Sequence, residues 1–225
     1  MLKAIIFDFN GVISNDEPIH LSCMTKVLEE ESVVVPLDEY NIKYLGRDDR
    51  DCFRLAFEQT GRSISPERML SLIQRKSVYY LESVREELQV FPGVASFIEQ
   101  ASSQYDLAVA SGALRCEIEF VLHRLGLRER FQCIVSSHEI DRGKPAPDIF
   151  LKALEDLNLN RRRGVIRPEH CLVIEDSQPG VTAALSAGMK CLAVTNTYPA
   201  KDLSEAHQIV PNLNMSLDSL QRLFP

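Results

Sequence analysis

The sequence predicts an α/β protein built on a parallel sheet, with a mostly helical segment inserted after the first strand. Three observations carry this. Short, continuous apolar runs end abruptly in turn residues, as strands buried on both faces do. Segments with helical spacing of apolar residues separate those runs, so strand and helix alternate. Residues 16–89 alone break the alternation.

The first run is Leu2 to Phe7, closed by Asp8-Phe9-Asn10-Gly11. Leu107–Ala110 ends at Ser111-Gly112, Cys133–Val135 at Ser136-Ser137, Cys171–Ile174 at Glu175-Asp176-Ser177, and Lys190–Val194 at Thr195-Asn196. Between them, Phe97, Ile98 and Ala101 follow a Pro92-Gly93 turn. Ile118, Val121, Leu122 and Leu125 recur at helical spacing with Gly126 at a C-cap position. Pro147 stands at the start of a helix over Asp148 to Leu157, and Val181, Ala184, Leu185 and Gly188 close another. Inside residues 16–89 the spacing predicts helices around Ile19–Glu30, Arg50–Thr60, Pro66–Tyr80 and Tyr80–Leu88, with one weak strand signal at Val33-Val34-Val35. The expected division is a core of residues 1–15 and 90–225 and a helical unit of residues 16–89, hinged near Ser14–Asn15 and Phe91–Gly93. Asn158 to Arg163 reads as a surface loop.

Composition narrows the function classes. The chain has 225 residues, of which 45% are apolar and 25% charged, so a sizeable core is available. Lys and Arg total 25 against 32 Asp and Glu, a formal charge of −7, which argues against nucleic acid as a partner. No apolar run approaches the roughly 20 residues of a membrane span. An acid at position 8 breaks any signal-peptide apolar region, and a cytoplasmic monomer is expected. The six cysteines are scattered without a C-x-x-C pair and read as reduced, buried thiols.

In an open parallel sheet, ligands bind beyond the carboxyl ends of the strands. That rule selects Asp8 and Asn10, Ser111 and Gly112, and Glu175 and Asp176, with Lys144 following the third strand in Arg142-Gly143-Lys144-Pro145. Crowded carboxylates repel without a cation, and an all-oxygen cluster suits Mg²⁺. Asp8, fixed by a buried strand, is a candidate nucleophile, and Ser111-Gly112 offers a hydroxyl and backbone N–H groups to an anion. Each has a plainer alternative: a turn acid for Asp8, a helix cap for Ser111-Gly112, a solvated side chain for Lys144. P-loop, zincin and G-x-S-x-G patterns are absent.

Four segments resemble, in order, the motifs of the haloacid dehalogenase superfamily. They are Ile6-Phe7-Asp8-Phe9-Asn10-Gly11-Val12, Leu107 to Gly112, Gly143-Lys144-Pro145-Ala146-Pro147-Asp148-Ile149-Phe150, and Val173-Ile174-Glu175-Asp176-Ser177-Gln178-Pro179-Gly180-Val181. The chain is similar to the branch holding β-phosphoglucomutase, phosphoglycolate phosphatases and related sugar-phosphate phosphatases. The resemblance implies a Rossmannoid core, a helical cap over residues 16–89, and hydrolysis of a small phosphorylated metabolite through an aspartyl-phosphate on Asp8. It places Mg²⁺ on Asp8, the backbone carbonyl of Asn10 and Asp176, with Glu175 beside them. Ser111, Gly112 and Lys144 would hold the phosphate. His20, Gly46, Arg50 and Lys76 stand where mutase-like members carry substrate-facing cap residues. Dehalogenation fits less well, because dehalogenases do not need the Glu175-Asp176 pair.

Two departures matter. The second motif is Ser111-Gly112-Ala113 rather than the mutase's Ser-Ala-Ser type, which favours a phosphatase over a sugar-phosphate mutase. The family's acid–base aspartate, two residues after the nucleophile, is Asn10, and a carboxamide cannot exchange a proton near neutral pH. This form is therefore expected to be slow, either through a substitution made to trap a ligand or as a naturally impaired member. A non-catalytic protein that binds a phosphorylated metabolite is the remaining alternative.

Overall fold

The computed structural model describes residues 1–36, 43–44, 47–159 and 164–224. The chain divides into two compact units, residues 1–15 with 89–225, and residues 16–88.

The first unit is a six-stranded, all-parallel sheet. Its strands are β1 (Ala4–Phe7), β2 (Asp106–Ala110), β3 (Cys133–Val135), β4 (Cys171–Glu175), β5 (Lys190–Val194) and β6 (Gln208–Val210), in the spatial order β3-β2-β1-β4-β5-β6. This is the α/β class that the sequence predicts. β1 is central, with Ile6 registered against Ala108 on one side and Val173 on the other. All four of its residues are buried, which is why its sequence is apolar without alternation.

One face of the sheet, formed by Ala4, Ile6, Ala108, Ala110, Val173 and Cys191, packs in a single cluster with Ile149, Phe150, Ala153, Val181 and Ala184. The last five come from two helices, Asp148–Leu159 and Gln178–Ser186. Strand alternation turns Ile5 and Phe7 to the opposite face. There the Phe7 ring meets Phe97 edge-on at 6.2 Å and Phe131 at 5.7 Å. Phe97 lies on a helix over Val94–Ser102, and a helix over Arg115–Arg124 buries Ile118, Val121 and Leu122.

Among the described residues, the second unit holds three helices. In chain order through the whole protein these are α1 (Glu17–Glu30), α2 (Asp49–Gln59) and α3 (Pro66–Glu87), followed by α4 (Val94–Ser102), α5 (Arg115–Arg124), α6 (Asp148–Leu159) and α7 (Gln178–Ser186). Asp48 caps α2 by accepting from the Asp51 N–H at 2.9 Å. Ser65 caps α3 by accepting from Arg68 N–H, with Pro66 in the first turn. Among the described residues no helix is long and apolar enough to cross a membrane.

Several local expectations change. The two helices expected over 66–88 are one continuous α3. The Val33-Val34-Val35 run is not a strand but follows the C-terminal turn that closes α1. Ser32 takes a left-handed φ of 58°, Ser32 N–H donates to the Glu29 carbonyl, and Val33 N–H donates back to the Leu28 carbonyl at 2.8 Å. That is a Schellman closure, and its apolar residue after the turn, Val33, is the one buried. Asn158, expected in a loop, is in α6, where its side chain pairs with both backbone groups of Ile166. Residues 160–163 lie outside the described residues. β6 was not anticipated: it is three half-buried residues at a sheet edge. No disulfide joins the six cysteines, but Cys116 is exposed and Cys133 half-buried rather than buried.

The chain leaves the sheet and returns to it side by side. Ser14 bridges Val90, and Asn15 N–H donates to the Gln89 carbonyl at 3.0 Å.

Phe97 is buried against Phe7 beneath the central strand. Phe97→Ala is expected to remove about 3–5 kcal/mol of stability. Urea unfolding followed by circular dichroism checks this, and a loss below about 1 kcal/mol would count against the packing described.

Candidate active site

Three strand ends and the connection that follows β3 supply the site, all within the first unit. β1 delivers Asp8, whose backbone N–H donates to Ile174 O on β4 at 2.9 Å. The chain then turns sharply, with Ile13 and Ser14 N–H both donating to the Phe9 carbonyl. β2 delivers Ser111, whose N–H donates to Val135 O and whose hydroxyl accepts from Ala113 N–H at 3.2 Å. The Ser111 hydroxyl also donates to Asn10 Oδ1 at 3.5 Å. Gly112 is exposed at the apex of that turn. β4 delivers Glu175 and Asp176.

Lys144 ties the cluster together. Its Nζ is 2.5 Å from Glu175 Oε1 and 2.8 Å from Asp8 Oδ1. The ammonium also sits 5.2 Å from the centroid of the Phe150 ring. Asp8 Oδ1 is buried, and the Lys144 ammonium at 2.8 Å is its charged partner.

Glu175, expected beside the metal, is fully buried, and both its oxygens are engaged within the protein. Oε1 takes Lys144, while Oε2 accepts from Asp176 N–H, Ser177 N–H and the Ser177 hydroxyl at 2.8–2.9 Å. Ser177 in turn caps α7 by accepting from Gly180 N–H. An oxygen each from Asp8, Glu175 and Asp176 lie within 4.8 Å of one another.

Two glycines make this density possible. Gly11 has φ +75°, and a Cβ there would overlap the Asp176 carboxylate. A Cβ on Gly180 would overlap the Glu175 carboxylate. Gly180 stands in a helix's first turn, where nothing local calls for glycine; that oddity is the signal that could have marked it. Asn196 and Thr197 also reach the cluster and were not anticipated. Asn196 Nδ2 donates to Gly11 O at 2.7 Å, and the Thr197 hydroxyl bonds the Asp176 carboxylate. The strand-end rule that selects Asp8, Ser111 and Asp176 also selects the end of β5, so the signal was present there too.

The cap positions belong to the second unit. His20 and Lys76 are buried, 9% and 2% exposed, and bonded to each other through Nδ1 and Nζ at 2.6 Å. Lys76 also pairs with Asp49, and the His20 ring stacks on Tyr80. Arg50 is exposed in the first turn of α2. Gly46 lies outside the described residues.

The electrostatics follow from three carboxylates sharing one ammonium. Burial pushes Asp8 up to about 6; Lys144 pulls it back and Glu175 adds to the rise. Burial, then the charges of Glu175 and Asp8, hold Asp176 well above the ordinary carboxylate range, with Thr197 opposing. For Lys144 burial works against the ammonium, but Asp8 and Glu175 overcome it and hold its pKa above the usual lysine value.

An acid whose pKa is raised in the fold contributes most at low pH and loses that contribution as pH climbs from its unfolded value of 3.8 through about 6. In EDTA, the Asp8→Asn protein is therefore expected to gain more melting temperature over its parent at about pH 7.5 than at about pH 5, by a few degrees. An equal gain at the two pH values would refute the raised pKa of Asp8.

Comparison with known proteins identifies the family of the chain. Residues 5–194 match the family described as haloacid dehalogenase-like hydrolase. The phosphorylated carbohydrates phosphatase of Thermotoga maritima is 30% identical, over 84% of this chain and 83% of its own length. The β-phosphoglucomutase of Bacillus subtilis is 27% identical, over 88% of this chain and 85% of its own. The crystal structure of β-phosphoglucomutase from Clostridium difficile superposes with a TM-score of 0.86 at 24% identity, covering 99% of this chain and 97% of that one, a likeness of fold. With the matched segment spanning most of its length, the chain belongs to the haloacid dehalogenase-like hydrolase family.

Proposed function

We propose that this chain is a Mg²⁺-dependent phosphatase of small phosphorylated metabolites, such as sugar phosphates or phosphoglycolate, slowed in this form by Asn10. The convergence of Asp8, Asp176, Ser111 and Lys144 at one sheet edge carries the reading. The donor set suits a hard divalent cation, being all oxygen, with one oxygen each from Asp8, Glu175 and Asp176 within 4.8 Å of one another and three carboxylates facing one ammonium. Asp8, Asp176 and the Asn10 carbonyl would hold the ion, since the oxygens of Glu175 are already committed to Lys144 and the Asp176-Ser177 turn. When bound, Mg²⁺ neutralises charge on the transferring phosphoryl group.

The residues of the chain do the rest. Asp8 attacks phosphorus, and the bond from phosphorus to the ester oxygen breaks. Lys144 and Ser111 hold the phosphoryl oxygens in place, and water later releases phosphate and restores the Asp8 carboxylate. Glu175 keeps Lys144 aimed at Asp8. The leaving oxygen needs a proton and the water needs a base, and Asn10 supplies neither.

Restoring the carboxylate tests this. Asn10→Asp is expected to raise release of phosphate from alkyl phosphates by about 10²-fold or more. Aryl phosphates, whose leaving groups need less protonation, are expected to gain less where the first step limits. No gain across a broad panel of esters would favour a binding protein, and isomerised sugar phosphate in place of free phosphate would favour a mutase.

The cation assignment is checked separately. Asp176→Ala is expected to abolish Mg²⁺ binding measured by titration calorimetry. Unchanged affinity in that variant would rule the magnesium site out.

A further inference from the structure

The loop leaving β5 does more than connect it to β6. β5 is already registered on both sides, Glu175 against Ala193 and Val194 against Val210, and Thr195 N–H goes to the Val210 carbonyl at 3.1 Å. The next two residues have no ladder to complete. They turn instead across the end of β4 toward the loop that follows β1. Asn196 Nδ2 donates to the Gly11 carbonyl at 2.7 Å, joining positions 185 residues apart. The Thr197 hydroxyl donates to the Asp176 carboxylate. Thr197 Oγ1 and Asp176 Oδ2 together fill the space over Gly11 where a side chain would begin, with Thr197 Oγ1 at 2.8 Å from that position.

We propose that Asn196 and Thr197 are positioning residues for the cation site. Asn196 holds the Asn10–Gly11 turn, Thr197 holds Asp176, and one short loop thereby sets the separation of ligand groups that arrive on different strands. The inference rests on the magnesium reading given above.

The physical case is one of orientation. A carboxylate on a single methylene can rotate about two bonds. A hydroxyl pinning one of its oxygens fixes the direction of the other, which is how groups behind a metal ligand tune affinity. The Asn10 carbonyl belongs to the peptide that joins Asn10 to Gly11. Anchoring the next carbonyl, that of Gly11, limits how far the peptide can swing. Glycine at position 11 lets both clamps close, because any side chain would displace Asp176 and Thr197 together.

Thr197→Val keeps the shape and removes the donor. On the full chain it is expected to weaken Mg²⁺ binding by about 10–100-fold in titration calorimetry, with the melting temperature in EDTA nearly unchanged. Asn196→Ala should move affinity in the same direction. Thr197→Ser, which returns the hydroxyl, should bring affinity back most of the way, a rescue that loss of packing alone would not show. Asp176→Ala is the reference. If Asp176→Ala loses Mg²⁺ while Thr197→Val binds like the parent, the inference is overturned and the magnesium reading stands. Failure of Thr197→Ser to restore affinity likewise overturns it. Parent-like affinity in Asp176→Ala overturns both.

Discussion

Asp8, Glu175 and Asp176 are buried together, and the single ammonium of Lys144 lies between two of them. Much of the site's architecture answers that electrostatic problem. Backbone N–H groups of the Asp176-Ser177 turn and the Ser177 hydroxyl spread the Glu175 charge into the start of α7, where negative charge is favoured. What they leave is an acid excess at Asp8 and Asp176, visible as raised pKa values. A fold retains such an excess when a ligand relieves it. A divalent cation is the simplest relief, and in the function proposed above the same charge serves Asp8 as the attacking group.

The sheet order makes this crowding possible. β1 lies between β2 and β4, so Asp8, Ser111 and Glu175-Asp176 leave adjacent strands at the same edge. Lys144 comes from the connection between β3 and α6, and its ammonium lies near the Phe150 ring on α6. Phe150 is also part of the core beneath β1 and β4. Core packing and the position of the charge are therefore set by the same helix. The buried apolar strands supply the rigidity that holds carboxylates at short range, which a loop-borne cluster would lack.

Much of this was legible in the sequence, for reasons that vary by element. β1, β2, β4 and β5 were legible because burial on both faces demands unbroken apolar runs, and turn residues mark where they stop. β6 carries only Gln208-Ile209-Val210, half-buried at an edge, too short to stand out from a loop. The valine run after α1 looked like a strand because the left-handed turn at Ser32 uses a residue other than glycine. The helix over 66–87 read as two because the pattern was split at Tyr80, which tertiary packing buries completely. His20 and Lys76 have the chemistry of ligand-binding groups, yet they bond to each other inside the second unit, a contact that no spacing reveals.

The sequence by itself determined the fold class, the strand ends and the types of chemical group gathered at them. Those properties follow from burial and from local turn chemistry, which act over a few residues. Only the tertiary structure decided how the groups divide their work. Glu175 is spent on Lys144 and a helix start, Gly11 and Gly180 exist to let carboxylates pass, and Asn196 and Thr197 close over the turn and the acid from the far side of β4. These are contacts between residues up to 185 positions apart, made by single hydrogen bonds and a few ångströms of space. Such contacts impose no period and no motif on the chain, so nothing short of three-dimensional packing could show them.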